Sequence, residues 1–223
     1  MQSKLSLFDT YRLGDLQLPN RLVMASCSRL RCDPKTGVPN ELLVKYYSDR
    51  ASAGLILTEG SPIYKAGNPA SGAGGIWSGE QIAGWKKVIE AVHNKGGRIF
   101  IQLWHAGRYV NPEISGEQNI GPSPLPMKAY DKDGNEVISP IPKEMEESDI
   151  KLVLEQYKQA ALNAKEAGFD GAELHCSNGQ LPDQFLRSES NRRTDSYGGS
   201  AENRCRFVIE AMEKLLRSLA LLE

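Results

Sequence analysis

The chain has 223 residues, of which 40% are hydrophobic and 25% charged; that is enough for one domain with a substantial core and excludes the disordered and collagen-like classes. A formal net charge of -1 supplies no broad attraction for nucleic acid or an anionic membrane, so neither is expected as a partner. No run approaches the roughly 18 apolar residues of a membrane span, and residues 1–6 lack the apolar stretch of a secretory signal, so a cytoplasmic location is expected.

Residues 11–18 alternate apolar with polar around Gly14-Asp15, the pattern of a short hairpin ahead of the main fold. A first buried strand is predicted over residues 21–25. The spacing of Leu42, Leu43, Tyr46 and Tyr47 predicts a helix over 40–53, with Gly54 as its stop. A second strand, 55–59, runs into Gly60 and a loop rich in Gly, Pro and Ser that extends through Gly75. Ser78 with Gln81 reads as a capping box, and Ile82, Trp85, Val88, Ile89 and Val92 share one helical face until Gly96-Gly97.

The third strand is predicted at 98–103. A loop of about forty residues follows it, with a hairpin expected around residues 131–135. Ser148 is expected to open a helix over 150–167 that Gly168 ends, before a fourth strand at 171–174 and a last helix at about 201–222. Strand and helix alternate four times, which predicts a parallel sheet with crossover helices and a single domain over residues 1–223.

Chemistry concentrates where the strands end. The run Asp170-Gly171-Ala172-Glu173-Leu174-His175-Cys176-Ser177-Asn178 delivers an imidazole and an amide to one strand tip, where two donors can grip a single oxygen. By itself His175 also reads as a buried structural histidine, and Gln102 as a polar end to an apolar strand. Cys27, Cys32, Cys176 and Cys205 form no CxxC pair, and the three histidines form no HxxxH. Metal-ligand spacing is therefore absent, and the thiols read as reduced and inert, with a redox role for Cys27 as the alternative.

Joined to Thr194-Asp195-Ser196-Tyr197-Gly198-Gly199-Ser200 with Asn203-Arg204, and to Gln102-Leu103-Trp104-His105-Ala106-Gly107-Arg108, this stretch resembles the Old Yellow Enzyme family of FMN-dependent ene-reductases. The resemblance runs along nearly the whole chain and implies an α/β fold, a truncated TIM (β/α)8 barrel of about four β/α units with an N-terminal hairpin. Residues beyond the C-terminal ends of its strands would then face the active site. It implies FMN as cofactor, NADPH or NADH as reductant, and α,β-unsaturated carbonyl compounds as substrates.

Residue by residue, Ala25, Ser26, Cys27 and Ser28 match the segment along the flavin. Ser28 stands at the position that bonds flavin O4, and Ser26 replaces the usual proline. Gly60 matches the small residue under the ring, Gln102 the amide at the pyrimidine edge, and Trp104 a wall of the substrate pocket. His175 and Asn178 match the pair that holds the substrate carbonyl, with His175 also beside the flavin. Gln180 occupies the place of the family's proton-donating tyrosine, and an amide cannot act as that acid.

The family's strand-five arginine and its phosphate-binding loops have no counterpart in residues 1–223. Asp195, Tyr197 and Arg204 read as a polar network that fixes the start of the last helix. A half barrel would expose two sheet edges, so association into a homo-oligomer is expected. Two alternatives stand beside the enzyme: a non-catalytic truncated paralogue acting as an interaction module, and an incomplete gene product.

Overall fold

The computed structural model describes residues 6–130, 133 and 135–220. Its first element is an antiparallel hairpin of β1 (Tyr11–Leu13) and β2 (Leu16–Leu18). The central sheet then starts with β3 (Val23–Met24), shorter than the predicted strand. α1 (Glu41–Ser48) follows, capped by the Asn40 side chain on the Leu42 N–H at 3.0 Å. This helix ends well before Gly54, contrary to expectation. Glycine is required at 54 for another reason: a Cβ there would collide with the Asn20 carbonyl group.

β4 (Leu55–Pro62) is longer than expected, and its register against the next strand slips between Leu57 and Gly60. α2 (Gly79–His93) carries the predicted capping box: Ser78 Oγ accepts from the Gln81 N–H, and Gln81 Oε1 accepts from the Ser78 N–H, both at 3.2 Å. Its apolar face holds Trp85, Val88 and Val92 in full burial, and the Trp85 indole N–H donates to the Gly75 carbonyl at 2.9 Å.

After β5 (Ile99–Trp104), the long connection holds α3 (Pro112–Ser115), β6 (Ile120–Gly121), β7 (Lys128–Tyr130), β8 (Glu136–Ile138) and β9 (Lys143–Glu144). β7 and β8 pair antiparallel as the expected hairpin requires; of its turn, residues 131, 132 and 134 lie outside the described residues. β6 pairs with β9 in a register that the sequence did not announce.

α4 (Glu147–Ala167) begins one residue before Ser148, not at it. Glu146 is the cap, and its N–H donates to Asp149 Oδ2 at 2.9 Å, because an acidic side chain at the third helical position can reach back over the first turn. Gly168 ends α4 in the left-handed conformation, φ +96°. β10 (Gly171–Leu174), α5 (Leu181–Leu186) and α6 (Ala201–Ala220) complete the fold, and the predicted final residues of the last helix, 221 and 222, lie outside the described residues.

Four strands form one parallel sheet in the order β3-β4-β5-β10; α1 packs on α2, α2 on α4 and α4 on α6, and α4 and α6 also pack against the strands. Alternation along β5 sorts the two faces. Ile99, Ile101 and Leu103 point at the helices and are fully buried. Phe100, Gln102 and Trp104 take the opposite face, and register sets Phe100 beside Gly171 and Gln102 beside Glu173. No helix among the described residues is long and apolar enough to cross a membrane.

Candidate active site

The C-terminal parts of the strands and the segments that follow them border an open hollow of about 580 Å3. The segment after β3 contributes Ala25, Ser26 and Ser28, β4 contributes Leu57, β5 contributes Gln102, and β10 with its following loop contributes Glu173 through Asn178. Residues far apart in sequence meet here because parallel strands end at one level.

Gln102 is tied on both sides. Its Nε2 donates to Glu173 Oε1 at 2.6 Å, a consequence of their opposed positions in the ladder, and its Oε1 accepts from Ser26 Oγ at 2.9 Å. A carboxylate only accepts, so Glu173 dictates which end of the carboxamide faces it. Neither Glu173 nor this orientation was singled out from the sequence. The signal available was the acidic residue two before His175 on a strand, since alternation places both on one face.

His175 sits one residue past β10, and its N–H continues the ladder by donating to the Leu103 carbonyl at 3.0 Å. Burial lowers the imidazole pKa below its ordinary 6.5, against the opposing pull of Glu173 and Asp183. The neutral ring therefore prevails at pH 7, with one N–H to donate. Asn178 has φ +57°, a left-handed conformation that asparagine tolerates better than most residues. The Gly179 N–H after it donates to Asp183 Oδ2 at 2.8 Å, and the Gly179 carbonyl accepts from Gln184 Nε2 at 2.7 Å. The first turn of α5 thus pins the loop that presents Asn178. α5 is itself held by Phe185, whose ring stacks on Phe207 of α6 at 4.3 Å.

Four of the expected residues stand differently. Gly60 does not line the hollow; a Cβ at this position would lie 2.7 Å from the Trp104 ring, so the glycine seats that indole. Trp104 lies outside the lining as well, its ring centred 6.4 Å from the His175 ring. Gln180 Oε1 accepts from the Trp104 indole N–H at 2.6 Å and so fixes the orientation of that indole. Cys27 is exposed and is not part of the lining.

After α5, Asp195 and Tyr197 are joined as expected, with Glu210 and Arg193 as further partners, whereas Arg204 bonds the main chain instead of either of them. Asp195 Oδ1 accepts from the Tyr197 N–H, Tyr197 Oη donates to Glu210, and Arg204 Nε donates to the Leu186 carbonyl. Arg193 ties this group to the β6 and β9 region through the carbonyls of Pro122 and Met145.

Residues 6–220 match the NADH:flavin oxidoreductase / NADH oxidase family. The chain belongs to that family. A probable flavin mononucleotide-dependent alkene reductase of Leishmania infantum is 41% identical over 93% of this chain and 59% of its own length. Among solved structures, an old yellow enzyme homologue from Zymomonas mobilis superposes with TM-score 0.90 at 39% identity, over 96% of this chain and 61% of that one. Morphinone reductase in complex with tetrahydroNAD gives TM-score 0.87 at 43% identity, over 97% and 61%. The chain thus spans somewhat more than half the length of these flavin oxidoreductases and has the fold of a partial TIM-type barrel.

The lining suits part of a flavin mononucleotide. Side-chain hydroxyls, a carboxamide and an imidazole offer the mixed donors and acceptors that the polar edge of an isoalloxazine requires. No lysine or arginine lines this hollow among the described residues, so the lining provides no cation for the phosphate.

Proposed function

We propose that this chain carries the carbonyl-polarising part of an FMN-dependent reductase of α,β-unsaturated carbonyl compounds, with NADH or NADPH as reductant. One observation carries the reading: His175 and Asn178, at the tip of β10, line the same hollow as Gln102 and Ser26. Bound FMN would relay hydride from the nicotinamide to the β-carbon of the alkene. Gln102, Ser26 and Ser28 would hold its polar edge.

The neutral His175 ring and the Asn178 amide each offer an N–H to the substrate oxygen. Negative charge builds on that oxygen only as the double bond is reduced, so these donors bind the transition state better than the ground state. Each is expected to contribute about 2.7–4 kcal/mol, the range for a comparable oxyanion donor. Gln180 cannot deliver a proton and accepts from Trp104 instead. Solvent therefore supplies the α-carbon proton.

The test is an FMN titration of the full chain followed by anaerobic NADPH or NADH and 2-cyclohexenone. Flavin bleaching by the nicotinamide and reoxidation by the enone, both lost in His175→Ala/Asn178→Ala, support the proposal. A chain that leaves added FMN unperturbed overturns it. The open edges of β3 and β10 favour a second reading, a non-catalytic module that associates with itself. Concentration-dependent sedimentation together with indifference to FMN would select that reading.

A further inference from the structure

We propose that Glu59 is a positioning residue: its carboxylate clamps the loop after β3 and thereby sets Ser26 against Gln102 and Ser28 at the edge of the same hollow. Glu59 lies in β4 and is 1% exposed, a burial that carboxylates rarely reach without partners. Its Oε2 accepts two backbone N–H groups of the loop, from Arg29 at 2.7 Å and from Leu30 at 3.0 Å. Leu30 has φ +53°, a conformation that a branched side chain adopts only under constraint, and the two charge-assisted bonds supply the constraint. Burial pushes the Glu59 pKa above its ordinary 4.5; the Leu30 and Arg29 N–H bonds oppose that shift, as does the Arg29 guanidinium, which rests over the Tyr46 ring 4.9 Å from its centroid.

The slipped register of β4 makes this geometry. Between Leu57 and Gly60 the ladder is irregular, and the Gln102 N–H donates to Thr58 Oγ1 at 3.1 Å. Thr58 Oγ1 in turn donates to the Glu59 carbonyl, while the Glu59 N–H donates to Tyr47 Oη at 2.8 Å. One irregularity therefore holds the Gln102 backbone from Thr58 and the loop from Glu59. The Ser26–Gln102 side-chain bond at 2.9 Å closes the circuit. The consequence for cofactor binding rests on the FMN reading above; the clamp itself does not.

Amide hydrogen exchange on the full chain tests the clamp directly. Arg29 and Leu30, although outside helix and strand, should exchange slowly in the wild type; rates of an unprotected loop would overturn the proposal without any variant. In Glu59→Gln their exchange should accelerate roughly tenfold, the loss of about one charge-assisted bond, with the β5 and β10 amides unchanged. Acceleration spread evenly over the sheet would show a general packing role and overturn it. Glu59→Asp, which keeps the charge on a shorter stem, should fall between. FMN affinity is measured alongside: a roughly tenfold weaker dissociation constant in Glu59→Gln supports the clamp, and a wild type that ignores FMN sinks the cofactor reading while the exchange rates still judge Glu59.

Discussion

At Asn178 a backbone demand and a donor role coincide, and two substitutions separate them. Asn178→Gly accommodates φ +57° without a Cβ and should keep stability within about 0.5 kcal/mol of the wild type, whereas Asn178→Ala should lose about 1 kcal/mol in urea denaturation. Both should slow enone reduction alike, by the loss of the Asn178 donor with His175 still in place. Gln180→Tyr restores an acidic hydroxyl beside Trp104 and should raise enone turnover; an unchanged rate would show that proton supply does not limit this chain.

His105 is a second residue-scale test. It is fully buried, its Nδ1 accepts from the Gly107 N–H at 3.0 Å, and burial pushes its pKa from 6.5 down to about 3. The unfolded chain takes up a proton below pH 6.5 that the folded ring refuses until about pH 3. Stability is therefore complete above pH 6.5 and drains as pH falls, by up to about 1.4 kcal/mol per pH unit from this group. His105→Asn should flatten the fall between pH 7 and 4 relative to the wild type; an identical fall would refute this account.

Among the elements, α5 shows what periodicity misses. Its six residues are too few for a helical repeat to emerge, and Pro182 reads as a loop signal although proline is acceptable in a first helical turn. Yet α5 positions Asn178 through Asp183 and Gln184 and rests on α6 through Phe185. Phe185→Ala should cost about 3–5 kcal/mol in chemical denaturation and speed amide exchange at residues 178–180 more than in β5. The longer helices were legible, because α2 and α4 present apolar stripes over several turns and carry caps. Their ends were less so: the acidic cap at Glu146 depends on side-chain reach, and α1 stops at Ser48 with Asp49 as its C-cap, ahead of the glycine that the sequence offered as a stop.

For the molecule as a whole, the missing positive charge in the hollow has a measurable consequence. If the lining grips only the ring system, riboflavin and FMN should bind the full chain with dissociation constants within a few-fold of each other, since no lining cation rewards the phosphate. Fluorescence titration of both flavins checks this, and a preference for FMN of a hundredfold or more would place a phosphate site elsewhere on the chain.

Local pattern was sufficient for the alternation of strands and helices and for the parallel sheet, because side-chain period and chain punctuation are written residue by residue, whereas the roles of His175, Asn178 and Gln102 came from the family resemblance. Only the folded chain decided which side chains meet. The opposition of Gln102 and Glu173, the grip of Glu59 on Arg29 and Leu30, and the bond from Trp104 to Gln180 span 29 to 76 residues of sequence. Strand register sets the first, the slipped ladder of β4 accompanies the second and the seating of α5 sets the third, and none of these pairings is written in local composition.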